Sequence, residues 1–288
     1  MKRTTRAAKR LTALLCAALM LLAALPARAG AAETLNILLI GEDAAREGRN
    51  GRSDTMMLVQ IAPESGAVKL VSFLRDLYVP IEGHGTQRLN AAYVHGGEAL
   101  LRQTLTGLFD VRIDRTAKVD FAAMAALIDR LGGVELEISE TESRALNEIL
   151  EAYCRERALP YAPVETAGTV RLTGPQALSY SRVRSPDSDF VRVSRQQQVL
   201  TALLRQAMAL EPVELIGLAV MCMNSIETDL GLSDLLTLLP LMDGDIDLAA
   251  AHVPFEGTCR DLQVDGMWVL ESDIAENKKR LHAFLAEP

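Results

Sequence analysis

Apolar residues follow two rhythms along this chain. Leu35 to Ile40 is a nearly unbroken apolar run closed by Gly41, which predicts a buried strand. A polar loop over 42–53 follows. Thr55 to Ile61 and Val68 to Phe73 then flank the turn Pro63-Glu-Ser-Gly66, the pattern of two strands joined as a hairpin. Leu77 to Ile81 predicts a further short strand, ended by Gly83-His-Gly85. Beyond it the apolar spacing changes to three and four residues, which predicts helices over Gly97–Phe109, Phe121–Leu131, Thr141–Arg157, Pro175–Tyr180 and Asp189–Leu210. Gly132-Gly133 stops the second of these and a strand resumes over Val134–Ile138. Pro160 to Gly168 reads as loop. Two more helical stretches are expected between Pro212 and Leu239, short strands within 249–270, and a closing helix from Ser272 to Leu285. Strands interleaved with helices predict an α/β fold, an α/β/α sandwich covered on both faces of its sheet. With no repeat and no linker, residues 33–288 read as one domain.

The first thirty residues follow neither rhythm. Lys2, Arg3, Arg6, Lys9 and Arg10 precede an apolar run from Leu11 to Leu25, and Ala27 and Ala29 then offer small residues to a signal peptidase. Basic, apolar and small, in that order, is an export signal, so residues 1–29 read as a cleaved signal peptide, with an uncut N-terminal membrane anchor as the alternative. The run is shorter than the 18 or so residues of a spanning helix. Either way the positive-inside rule places the rest of the chain outside the cytoplasm, secreted or held at the membrane surface.

Composition and charge then narrow the partners. Hydrophobic residues make up 49% of the chain, so a large core is expected, whereas aromatics are only 4%. Loss of residues 1–29 removes six basic residues and no acid, which moves the formal net charge from −8 to −14. A surface that acidic does not attract nucleic acid, and any anion site has to be a local gathering of arginines. Cys154, Cys222 and Cys259 show no zinc spacing; the first two read as small core residues, and a Cys222–Cys259 disulfide is compatible with export. His84 and His95 read as loop residues. Asp243-Gly-Asp-Ile-Asp247 lacks the spacing of a calcium loop and reads as a turn.

Candidate chemistry lies where strands end. Asp43 follows the first strand, Arg52 and Asp54 precede the second, and Arg75-Asp76 follow the third, so five charged side chains converge at one sheet edge. The alternative for any single pair is a surface ion pair of little worth. Arg182 and Arg184 are two apart, which on an extended chain points both guanidinium groups to one side. Asp189, Arg192, Arg195 and Gln196 share a helix face by their steps of three and four; a solvated face with internal ion pairs explains that helix equally well. Two aspartates with several arginines suit phosphoryl transfer, which needs charge neutralisation more than covalent help. Magnesium is commonly held by one or two carboxylates plus substrate phosphates, and arginine presents a planar fork to phosphate. Helices such as Phe121–Leu131 and Glu214–Met223 are apolar enough to line a lipid groove and read as ordinary core.

The motifs in order, Asn36-Ile-Leu-Leu-Ile-Gly-Glu-Asp43, Gly51-Arg-Ser-Asp-Thr-Met-Met57, Val71-Ser-Phe-Leu-Arg-Asp-Leu-Tyr-Val79, Arg88-Leu-Asn-Ala-Ala-Tyr93 with Gly96-Gly97, Leu131-Gly-Gly-Val134, Leu172-Thr-Gly-Pro-Gln-Ala-Leu178, Tyr180-Ser-Arg-Val-Arg184 and Arg192-Val-Ser-Arg-Gln-Gln197, resemble those of the LytR–CpsA–Psr family over about residues 35–205. The resemblance implies a three-layer α/β/α sandwich with a central mixed sheet. It also implies an extracytoplasmic phosphotransferase that moves an undecaprenyl-diphosphate-linked glycopolymer, a teichoic acid or capsular polysaccharide, onto peptidoglycan. Asp43 and Asp54 resemble the family's magnesium ligands, manganese being a substitute. Arg52, Arg75, Arg88, Arg182, Arg184 and Arg192 resemble its diphosphate-binding positions, with Gln196 beside them. Asp76 and Asp189 are both candidates for the base that accepts the acceptor hydroxyl's proton. The chain departs from the family where Arg88 replaces a common lysine and where Phe73-Leu74 replaces Ile-Pro before Arg75. Two other readings use the same residues: a polyprenyl-diphosphate pyrophosphatase or phosphodiesterase, and a non-catalytic wall-associated regulator.

Overall fold

The computed structural model describes residues 34–42, 53–183, 189–211, 214, 217, 218, 221, 226–231, 233, 234, 238 and 247–287. By its contacts the chain divides into Met1–Glu33 and Thr34–Pro288. The first unit, with the predicted export segment, lies outside the described residues, as do most of the helical stretches expected between 212 and 239.

The strands are β1 (Leu35–Glu42), β2 (Ser53–Ala62), β3 (Ala67–Phe73), β4 (Tyr78–Ile81), β5 (Gly85–Arg88), β6 (Arg115–Asp120), β7 (Val134–Ile138), β8 (Gly168–Leu172), β9 (Glu227–Thr228), β10 (Asp247–Val253), β11 (Cys259–Val264) and β12 (Met267–Ser272). The helices are α1 (Asn90–Phe109), α2 (Phe121–Arg130), α3 (Glu140–Arg157), α4 (Gly174–Ser181), α5 (Asp189–Met208) and α6 (Ile274–Ala286). Six strands form one mixed sheet in the order β10–β3–β2–β1–β6–β9. β1, β3, β6 and β10 run in one direction, and β2 runs against β1 and β3. One edge of the sheet therefore gathers the ends of four strands and the start of β2. The candidate charges flank this edge.

Period-two burial sorts the sheet's side chains into two cores. Leu38, Ile40, Met56, Leu58, Val71 and Phe73 meet Leu101, Leu105 and Phe109 of α1 and Leu281 of α6. Ile37, Met57, Val59 and Leu70 point to the other face, where Leu200 and Leu204 of α5 cover them. Each such side chain withdrawn from water contributes about 1.5–3 kcal/mol. Helix α5 is apolar on a second stripe as well: Val199 and Leu203 pack with α2, α3, α4 and the β7–β8 ladder. The α/β/α sandwich expected from the sequence is thus the observed one, and α5 joins the sheet to an outer helical layer.

Local chemistry explains two of the motifs. In the Leu172–Leu178 motif, Leu172 is buried, Gln176 reaches back to accept from the Thr173 N–H at 2.9 Å, and Pro175 takes the first turn of α4. Gly174 packs so tightly that a Cβ there would lie 2.2 Å from the Ala125 carbonyl oxygen of α2. In Gly96-Gly97, Gly97 has φ 61° and ψ −151°, a backbone open to glycine alone, and it kinks α1. The sequence pattern places this helix's start at Gly97; the structure adds a helical segment from Asn90 ahead of the kink. Strands β5, β6 and β8 also go beyond the sequence reading. β6 reads Arg-Thr-Ala-Lys-Val-Asp, too polar to signal a strand, yet it pairs with β1 from Arg115 to Asp120.

Candidate functional site

Asp54 owes its position to a bulge. Gly41 pairs with Thr55 and Glu42 with Ser53, so Asp54 is the extra residue of β2. Its Oδ1 accepts from Arg75 Nη1 at 2.8 Å. Arg75 follows β3, and its Nε lies 3.5 Å from Asp76 Oδ2. Asp76 Oδ1 lies 3.1 Å from Arg88 Nη1 at the end of β5. Arg88 Nη2 donates in turn to the Trp268 carbonyl of β12. Asp54, Arg75, Asp76 and Arg88 thus form one chain of charges along the sheet edge. These side chains are 16–30% exposed, so they reach solvent without being fully solvated. The Nε–H of Arg88 is buried and has no partner among the described residues.

An apolar cavity of about 680 Å³, open solvent at its mouth included, lies between the sheet, α2, α4 and α5, and Thr55, the residue after Asp54, lines it. Leu39, Met57, Phe121, Met124, Val199 and Leu200 make much of its wall, while Gly41, Thr55, Ser181 and Gln196 add smaller or polar groups. Gly41 keeps the strands close: a Cβ there would meet the Thr55 Cβ at 2.9 Å. The Arg182 guanidinium carbon sits 3.9 Å from the centroid of the Phe121 ring, a cation–π contact that holds the cation against the cavity wall. Phe121 and Met124, read from the sequence as ordinary core, pack against the outer core and also line this cavity.

Arg182 departs from the extended geometry expected of Arg182-Val-Arg184. It caps α4 with φ −100° and ψ −8°, so the rule that residues two apart share a side does not apply. Its backbone is positioned by a buried network. Arg195 Nη1 donates to the Val183 carbonyl at 3.0 Å, and Arg195 Nε pairs with Glu142 Oε1 at 2.9 Å. Tyr180 donates to Gln198 Oε1 at 2.8 Å and approaches Glu142 at 3.4 Å. Burial and the Glu142 charge push the Tyr180 phenol up to about 12, so it stays protonated. Burial works to raise Glu142, but the Ser139 N–H, the Ser139 hydroxyl and Arg195 together hold it below the usual carboxylate range. Arg195, on the same helix face as Arg192 and Gln196, is thus a structural ion pair. Arg192 is buried on α5. Asp43, Arg52 and Arg184 lie outside the described residues, as does the side chain of Asp189.

One contact was not legible in the sequence. The Tyr93 hydroxyl meets the Glu42 carboxylate at the end of β1; burial first, and Glu42 second, hold that phenol well above its ordinary range. It ties the Arg88–Tyr93 motif to the Asn36–Asp43 motif. Neither residue carries a charge pattern that marks it, and only the kinked α1 brings them together.

The site of this α/β sheet protein combines guanidinium groups at its strand ends with an apolar cavity. The LytR_cpsA_psr family model matches residues 22–283, and the chain belongs to this LytR–CpsA–Psr family. It is 32% identical over 186 residues to the polyisoprenyl-teichoic acid–peptidoglycan teichoic acid transferase TagU of Enterococcus faecalis, covering 63% of this chain and 56% of that one. It is 30% identical over 263 residues to the regulatory protein MsrR of Staphylococcus aureus, covering 88% and 75%. The structure of TagT bound to LIIa-WTA superposes with a TM-score of 0.71 at 25% identity, covering 88% and 92%. The chain thus spans little more than half the length of the enterococcal relative.

Proposed function

We propose that the protein is an extracytoplasmic phosphotransferase that takes an anionic glycopolymer from a polyprenyl diphosphate carrier and attaches it to peptidoglycan. The observation that carries this is an apolar cavity lined by Thr55, the residue after Asp54 of the charged chain, with Arg182 stacked on its wall residue Phe121. The cavity takes the start of the prenyl chain. Arg75, Arg88, Arg182 and Arg192 receive the diphosphate, joined by Arg52 and Arg184, and Gln196 adds a polar contact at the cavity. The acceptor hydroxyl oxygen attacks the phosphorus that bears the polymer. The new bond is sugar oxygen to phosphorus, and the bond that breaks joins that phosphorus to the bridging oxygen. That oxygen leaves with the prenyl monophosphate, and the hydroxyl proton goes to a base.

Of the two carboxylates offered as base, Asp76 has an arginine nitrogen beside each oxygen, so we assign it to holding Arg75 and Arg88. Asp189 at the start of α5 remains for the base. Asp54 fits a magnesium or manganese site: it is 28% exposed, and only its Oδ1 is engaged by Arg75. The donors would be Asp54 with Asp43 and the substrate's own phosphates, since magnesium commonly takes one or two carboxylates plus substrate phosphates. Such a cation supplies charge neutralisation at the diphosphate when bound. Export by residues 1–29 places the site outside the cytoplasm, at the membrane surface where its carrier lies; no described helix is long and apolar enough to cross a membrane.

Filling the cavity tests this reading. Met124→Trp is expected to weaken octaprenyl diphosphate binding by more than about tenfold, since each prenyl methylene kept in water forfeits about 0.8 kcal/mol. Inorganic diphosphate, which has no tail, should bind both forms alike in calorimetric titration. Equal octaprenyl diphosphate affinity in the two forms rules out the cavity as the tail site.

A further inference from the structure

The most exposed large apolar side chains among the described residues are Trp268, 62% exposed, and Met267, 54%. Both sit where the β11–β12 hairpin turns back through Asp265 and Gly266. Nothing in the core requires them there. Their backbone, in contrast, is fastened to the charged chain described above. The Trp268 carbonyl accepts from Arg88, and the Leu270 N–H donates to the Asp76 carbonyl at 2.8 Å. Leu270 is buried against Leu74 and Val193, next to Arg75 and Arg192 in sequence. The hairpin is thus a rigid arm of the site that carries an exposed indole.

The neighbours of that indole decide its partner. In the antiparallel ladder Trp268 stands opposite Gln263, and Leu270 opposite Asp261, so these four side chains share one face. Gln263 and Asp261 are exposed. An aromatic ring beside an amide and a carboxylate matches a pyranose: the ring's negative face meets the sugar's C–H edge, and the polar groups meet its hydroxyls. The charges argue against the other occupants. Arg260 is paired with Glu271, and among the described residues no ion pair engages Asp261 or Asp265. That local acidity disfavours an anionic lipid surface at the indole and suits a neutral glycan.

We propose that Trp268, with Gln263 and Asp261, is the platform on which the acceptor sugar of the wall glycan stacks, next to the diphosphate site. This rests on the transferase reading above and adds the acceptor's place to it. Because Arg88 touches both the Trp268 carbonyl and Asp76, the strand that carries the indole is fastened to the proposed diphosphate site.

Trp268 is the chain's single tryptophan, so its emission reports the platform alone. Tetra-N-acetylchitotetraose, a β-1,4-linked oligomer of N-acetylglucosamine, is titrated into the full protein, and a saturable change in emission is expected. In transfer assays Trp268→Ala should raise the acceptor KM about five- to tenfold, with the loss falling on KM rather than kcat, and Trp268→Tyr should recover most of it. Octaprenyl diphosphate titration of the same samples separates the two claims. A wild type that neither binds octaprenyl diphosphate nor transfers overturns the transferase reading. If it binds and transfers while Trp268→Ala keeps the wild-type acceptor KM, the platform is overturned alone. The platform is equally overturned if the emission ignores the oligosaccharide, including the case where it shifts only with phosphatidylglycerol vesicles.

Discussion

Arg75→Ala is expected to reduce transfer by at least about a hundredfold while the protein stays folded. Arg75 is the hub of the charged chain, contacting Asp54 at 2.8 Å and Asp76 at 3.5 Å. A charge-assisted contact to phosphate contributes about 1.5–3 kcal/mol, or roughly ten- to a hundredfold in donor binding. The same group meets charge that develops on the transferred phosphoryl, which adds to the loss in kcat. Its removal also leaves Asp54 and Asp76 without the cation that lies between them. Arg75→Lys should restore only part of the activity, because an ammonium cannot make the bidentate fork. Asp54→Ala should be about as damaging, through lost cation binding and a misplaced Arg75, and Asp54→Asn should not rescue it. Steady-state kinetics with circular dichroism on each variant checks these results; an Arg75→Ala enzyme within threefold of wild type contradicts the assignment.

Glu142→Ala is expected to cost about 3–5 kcal/mol of stability, the range for removing one partner of a buried ion pair. Arg195 has a side chain only 7% exposed, and without Glu142 its charge meets no carboxylate among the described residues. The Ser139 N–H and hydroxyl lose the carboxylate they donate to at the start of α3 in the same step, while the backbone N–H of residue 142 keeps its bond to the Ser139 hydroxyl. For a chain of this size the melting temperature should fall by roughly 6–15 °C. Activity should fall as well, since Arg195 holds the Val183 carbonyl beside Arg182. The pair also sets a pH dependence. The folded Glu142 carboxyl titrates below its unfolded value of 4.5, so its contribution is full above that pH and is lost as pH falls through the lower, folded value. Glu142→Gln should therefore flatten this part of the acid limb of a stability–pH profile. A wild-type melting temperature in Glu142→Ala removes the network from the account.

The parts of the fold that were legible in the sequence are those where side-chain period and burial agree. β1, β2 and β3 are buried on both faces, and their apolar runs stand out from polar turns. β6 was hidden because its neighbours bury it while its own composition stays mixed. Arg182 shows the limit of spacing rules: residues two apart share a side only on an extended chain, and here the first of them ends a helix. The convergence of Asp54, Arg75 and Asp76 followed from strand ends alone, but the bulge that makes Asp54 the extra residue did not. The cavity was not legible at all. Phe121, Met124, Val199 and Leu200 have the spacing of core residues, and whether the space between them is filled is a property of packing.

The most direct test of the central claim follows the phosphorus. A polyprenyl-diphosphate-linked glycopolymer, radiolabelled at the phosphate that bears the polymer, is incubated with the protein, a divalent cation and soluble peptidoglycan glycan. Label is expected to enter the glycan as an alkali-resistant phosphodiester, with unlabelled prenyl monophosphate released in equal amount. Label released as free polymer phosphate at the same rate with and without glycan would contradict it and make the protein a hydrolase of the same donor.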